Sequence, residues 1–79
     1  MSDATIEIQL TTEFIKLDSL LKVAAVASSG GEAKQMILDE LVSVNAEVVT
    51  QRGKKIRPGD VVTVALDPDV RVAVSGPEP

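Results

Sequence analysis

Four residues, Ser28-Ser29-Gly30-Gly31, constrain the fold most, because they divide a helical pattern into two short helices. Ahead of them, residues 17–26 carry apolar side chains at helical spacing. After them, Ser29 and Glu32 form the S-x-x-E pattern of a capping box, in which each side chain bonds the backbone N–H of the other residue. A second helix is therefore predicted to begin here. Neither helix is long enough to be stable alone, so both must pack on each other and on a sheet.

The apolar residues of the two helices predict their buried faces. The first stripe is Leu17, Leu20, Leu21, Ala24 and Ala25, and the second is Ala33, Met36, Ile37 and Leu41. The basic residues nearby are left for solvent or a ligand; they are Lys16, Lys22 and Lys34.

The remaining segments have the pattern of β-strands. Residues 5–10 alternate, with Ile6, Ile8 and Leu10 on one side. Residues 42–44 and 48–50 form a predicted hairpin joined through Asn45-Ala46-Glu47, although Ala46 stands where glycine would suit a positive φ. The whole pattern predicts an α+β fold in which two short helices pack on a small, mainly antiparallel sheet.

Two further strands follow a turn. Pro58-Gly59 has the residues of a type II turn. After it, VVTVAL (61–66) and VRVAV (70–74) are predicted strands separated by Asp67-Pro68-Asp69, and the last strand is expected to be exposed. We expect residues 1–75 to form one domain and residues 76–79 a flexible tail.

Composition excludes several classes of protein. The chain has 79 residues, no cysteine and no histidine, so it lacks a disulfide framework, a zinc-cysteine site and the usual general base near neutral pH. The phosphate-cradling pattern G-x-x-x-x-G-K-[ST] is missing too. No secretory signal is visible. These observations predict a cytoplasmic protein that is not an enzyme and holds no cofactor or metal.

Several short segments together resemble the small RNA-binding domain named after ribosomal small-subunit protein four, and most of all its short, stand-alone bacterial members. They are IKLDSLL, SGGEAKQMI, VSVNAEVV and KIRPGDVV, within residues 14–64. The resemblance implies the alpha-L motif, in which two helices on a small sheet jointly face RNA. Matching positions include Lys16-Leu17-Asp18, Ser29, Ala33-Lys34, Asn45 and Gly59-Asp60.

The chain departs from the family pattern at five positions. Gly30, Ser43 and Gln51 are neutral where relatives often carry a basic residue. Ala46 replaces a turn glycine, and Glu40 stands where a helix-ending glycine is common. Fewer phosphate contacts imply weaker RNA binding.

Charge is distributed unevenly along the chain. The formal net charge is −4, but residues 16–57 have seven basic and five acidic residues, and Gln51–Arg57 carries four positive charges with no negative one. This local excess is typical of a site for a polyanion. With Phe14 as the only aromatic residue, structured ribosomal or transfer RNA, including RNA within ribosomal particles, fits better than a single strand. The predicted RNA contacts are Lys16, Lys22, Lys34, Arg52, Lys54, Lys55 and Arg57.

Three alternatives remain. The lysine-rich turn is often only a solubilising loop. The acidic flanks and neutral substitutions favour a protein-interaction module with a degenerate RNA surface. A β-grasp sulfur carrier shares phrases such as VNAEVV, but it needs a C-terminal Gly-Gly, and this chain ends Gly76-Pro77-Glu78-Pro79.

Overall fold

Seven strands and two helices make up the fold in the computed structural model, which describes residues 4–66 and 68–76. Asp67, in the predicted connection between the last two strands, and residues 77–79 of the proposed tail lie outside the described residues. In chain order the elements are β1 (Ala4–Gln9), β2 (Ile15–Lys16), α1 (Leu17–Val23), α2 (Gly30–Leu38), β3 (Val42–Val44), β4 (Glu47–Val48), β5 (Lys55–Ile56), β6 (Val61–Val64) and β7 (Val70–Ser75).

The main sheet has five strands in the order β1-β7-β6-β3-β4. All neighbours are antiparallel except β1 and β7, which run parallel from Ala4 opposite Val70 to Gln9 opposite Ser75. The predicted class, two helices on a mainly antiparallel sheet, is confirmed. The expectation that the last strand is exposed is wrong, because β1 covers β7 and itself forms the edge. A second sheet contains only β2 and β5.

The core lies between the helices and one face of the sheet. Leu17, Leu20 and Leu21 of α1 are fully buried. The α2 residues Ala33 and Ile37 are buried too, as predicted, whereas Met36 is half-buried. Alternate valines of three strands complete the core, namely Val42, Val44, Val62, Val64, Val72 and Val74. Within the described part of the chain, neither helix is long and apolar enough to cross a membrane.

Both helices end in a Schellman motif without glycine. In α1 the N–H of Ala25 donates to Lys22 O (3.0 Å) and that of Val26 to Leu21 O (2.9 Å), while Ala25 adopts φ +60°. The helix therefore stops at Val23, three residues before the predicted end, and Ala25 is exposed instead of buried. In α2 the same bonds form around Glu40 at φ +61°, so Leu41 follows the helix as a half-buried residue.

The N-terminus of α2 confirms only half of the predicted capping box. The Ser29 hydroxyl accepts a hydrogen bond from Glu32 N (3.1 Å). The Glu32 carboxylate does not return to Ser29; it accepts bonds from the backbone N–H (3.2 Å) and the hydroxyl (3.0 Å) of Ser28. Ser28 thereby becomes part of the cap, which ties the interhelical segment to α2.

The β3–β4 hairpin closes with a two-residue turn. Asn45 (φ +51°) and Ala46 (φ +71°) both have positive φ, as a type I′ turn requires, and Val44 pairs with Glu47. The predicted hairpin exists, but β4 covers Glu47–Val48 and not residues 48–50. Similarly, β6 ends at Val64 and not at Leu66, although the Ala65 N–H still donates to Leu41 O (2.8 Å), the next position along the β3–β6 register.

Replacing Ala46 with glycine should stabilise the protein by about 1 kcal/mol, because glycine removes the steric cost of a left-handed backbone. A25G should have an effect of similar size at the end of α1. Chemical denaturation of the purified variants measures both changes. The matched control is A73G, at a β7 position without positive φ, which should be destabilising. A lower midpoint for A46G than for the wild type would contradict the expected gain.

Candidate nucleic-acid interface

The small β2–β5 ladder places two of the predicted contact residues side by side. Lys16 is the cross-strand partner of Lys55, and Ile15 is the partner of Ile56. Both lysines are exposed, whereas Ile56 is fully buried and anchors the ladder to the core. Like charges directly opposite each other destabilise a strand pair. The pairing therefore places two positive charges on the same face of the ladder and lowers the stability of the protein when no anion is bound.

The loop before β5 is attached to the first turn of α1. Leu17 N donates to Lys54 O (2.9 Å) and Asp18 N donates to Arg52 O (3.1 Å). These N–H groups have no partner within a helix, and Lys16 at the N-cap provides no side-chain bond, so the loop carbonyls serve as the cap. A further bond from Lys54 N to Gln51 O (3.2 Å) closes a turn. These backbone hydrogen bonds thus hold the loop against the first turn of α1.

These backbone contacts place four cationic residues at one end of α1. We call Lys16, Arg52, Lys54 and Lys55 the cationic cluster. All four are exposed. The ammonium group of Lys55 lies 4.8 Å from the centre of the Phe14 ring, a cation–π contact that orients this side chain.

The other three predicted contact residues lie outside the loop and the first turn of α1 that these backbone hydrogen bonds join. Lys22 is in the last turn of α1, Lys34 is exposed on α2, and Arg57 begins the turn after β5. Within residues 4–66 and 68–76, no ion pair joins any of the seven to a carboxylate. The structure brings four of the seven together and leaves the remaining three on neighbouring elements.

A hydrogen-bonded pair, Asn45 and Asp60, connects the hairpin to the loop region. Asn45 donates from Nδ2 to Asp60 Oδ1 (3.0 Å) and accepts at Oδ1 from Val61 N (3.0 Å). Asp60 Oδ2 accepts from Arg57 N (2.8 Å), and Asp60 N donates to Arg57 O (3.0 Å). Gly59 takes φ +97° in this turn, which confirms the predicted positive φ.

A groove lies between the hairpin and the cationic loop, and we call it the hairpin groove. Its volume is about 450 Å³. Asn45 and Asp60 form part of its wall, together with Glu47, Thr50, Gln51 and Lys54. Sequence reasoning missed this groove, because no single segment contains it.

Comparison with known proteins identifies the family. A model of the S4 domain matches residues 8–73. The chain belongs to the S4 domain family. It is also 44% identical over 57 residues to the "Probable ribosome maturation protein RlbA" of Bacillus subtilis (strain 168), which covers 72% of this chain and 80% of that protein.

Membership confirms the resemblance, and the S4 match is longer than the motifs indicated. It runs from Ile8 in β1 to Ala73 in β7, beyond the predicted limits of residues 14 and 64. Within this S4 domain the two late motif positions, Asn45 and Asp60, hold the turns together through their side chains. The sequence gave no sign of that contact, since the two residues are fifteen positions apart.

Proposed function

We propose that this S4 domain is a non-enzymatic RNA-binding protein that contacts structured RNA, ribosomal or transfer RNA, through Lys16, Lys22, Lys34, Arg52, Lys54, Lys55 and Arg57. The observation that carries the proposal is the cationic cluster, whose backbone is fixed to α1 by two hydrogen bonds. The similarity to the Bacillus relative, a probable ribosome maturation protein, favours ribosomal RNA or a ribosomal particle as the target.

The cluster has the physical properties of a phosphate site. Lys16 and Lys55 face each other without a neutralising carboxylate among the described residues, so a phosphate between them would relieve their repulsion. Because the loop is held in place before RNA arrives, little backbone entropy is lost on binding. These features favour a phosphate site over a merely solubilising turn.

The single aromatic residue also favours structured RNA. Phe14 is half-buried and has Lys55 over its ring, so one face of the ring is occupied in the free protein. Proteins that hold single strands usually stack bases on open aromatic faces. Contacts to the phosphates of a folded RNA require no such platform.

Binding should depend on salt as expected for four to six phosphate contacts. The logarithm of the association constant should fall with the logarithm of salt concentration with a slope of about −3 to −5. Fluorescence anisotropy with a labelled rRNA fragment, titrated at several salt concentrations, measures this slope. A slope near zero would mean that the proposed cations do not meet phosphate.

A protein-interaction module is the second candidate function, and exposed apolar side chains favour it. Val23 at the end of α1 is 61% exposed and Leu38 at the end of α2 is 53% exposed. Pull-down from lysate with and without ribonuclease separates the candidates. Partners that survive ribonuclease indicate protein contact, whereas partners that disappear indicate RNA.

A further inference from the structure

The hairpin groove has two different kinds of wall. Asn45 and Asp60 use their side-chain atoms in hydrogen bonds to each other and to the backbone, so they form a fixed wall. Glu47, Thr50, Gln51 and Lys54 make no side-chain hydrogen bond or ion pair within the described residues. A concave groove in which several polar groups converge without internal partners is a candidate ligand site.

Among the groove residues without internal hydrogen bonds, Glu47 indicates most about the kind of ligand. It lies in the same groove as Lys54 of the cationic cluster, where a negative charge opposes the approach of phosphate. Glu47 is exposed on a two-residue strand, so packing does not require a carboxylate there. A carboxylate accepts hydrogen bonds from the N–H groups on base edges, and guanine presents two such donors side by side, N1–H and the N2 amino group.

We propose that the hairpin groove binds an unpaired guanine base of the RNA. Glu47 accepts from N1–H and N2–H, the amide of Gln51 donates to O6, and Lys54 holds the neighbouring phosphate. The groove volume of about 450 Å³ is within the range of small-ligand pockets, roughly 300–1,000 Å³. This inference rests on the proposed RNA-binding function and adds base selectivity to it.

RNA hairpins that differ in one bulged nucleotide test the inference. The three probes carry guanosine, inosine, which lacks the N2 amino group, or adenosine at the bulge. Wild-type protein should bind the guanosine probe about 5- to 20-fold more tightly than the adenosine probe by fluorescence anisotropy. Inosine should give an intermediate affinity, because it keeps only one of the two donors.

The variant E47Q should reduce the guanosine preference to less than about twofold, since the side-chain amide replaces one of the two acceptor oxygens with an NH2 donor that would face a guanine donor. It also removes a negative charge, so its affinity for the adenosine probe should rise. The matched control is E7Q, which removes an exposed carboxylate from β1 and should keep the preference.

The outcomes separate this inference from the function on which it rests. Equal affinity of the wild type for all three probes, or a preference that E47Q retains, overturns the guanine site while RNA binding itself stands. If the protein binds none of the three probes at low salt, the RNA-binding proposal is refuted, and the guanine site with it.

Discussion

The triple variant R52E/K54E/K55E should lose RNA binding by at least about 100-fold in a low-salt gel-shift assay, because three of the proposed phosphate contacts would become repulsive. These residues lie in or next to the loop that caps α1, and all are exposed. The loop bonds to α1 through its backbone, so the substitutions leave that cap in place. Circular dichroism and thermal unfolding should therefore show an intact fold.

The comparison of K54E with R71E controls for total charge. Each variant changes the formal net charge from −4 to −6. Arg71 is exposed on β7 and alternates with the buried Val72, so it lies on the sheet face that points away from the core. K54E should weaken binding about tenfold and make the salt slope less steep by about one, whereas R71E should have a smaller effect. Equal losses in both variants would show that binding follows net charge and not the cluster.

The variant D60A should lower the free energy of unfolding by about 2–3 kcal/mol, because two N–H donors lose their acceptor. The Asp60 carboxylate bonds both Asn45 Nδ2 and Arg57 N, and the turn is further joined to β7 by the bond from Gly59 N to Val74 O (2.8 Å). A chain of 79 residues is expected to have a total stability of about 4–12 kcal/mol. The loss is therefore a large fraction of the whole.

Chemical denaturation with D39A as the control measures this contribution. Asp39 is exposed at the end of α2 and accepts one side-chain hydrogen bond, from Gln35 Nε2 (2.9 Å). Its replacement should cost less than about 0.5 kcal/mol. If D60A and D39A have the same midpoint, the Asn45–Asp60 contact does not stabilise the fold.

The sequence predicted those features that depend on neighbouring residues. The helical spacing gave the buried residues Leu17, Leu20 and Leu21, and Pro58-Gly59 gave the turn with positive φ at Gly59. Helix ends were harder to predict. Glycine usually marks a Schellman motif, and here Ala25 takes that position without any local signal.

The sequence predicted which residues belong to the candidate site, but it did not predict how they are arranged in space. The charge excess in residues 51–57 indicated a cationic loop, but β2 and β5 have two residues each and therefore show no periodicity. The pairing of Lys16 with Lys55 was consequently invisible in the sequence. So was the groove that brings Glu47 near Lys54.

The amino-acid sequence by itself determined the family, the two helices, the turns and the list of cationic residues, because each is encoded within a few neighbouring positions. Only the tertiary structure decided that β1 runs parallel to β7, that the loop carbonyls cap α1, and that Asn45 bonds Asp60. Such contacts join segments far apart in the chain. Their geometry depends on how the whole core packs, which no single segment specifies.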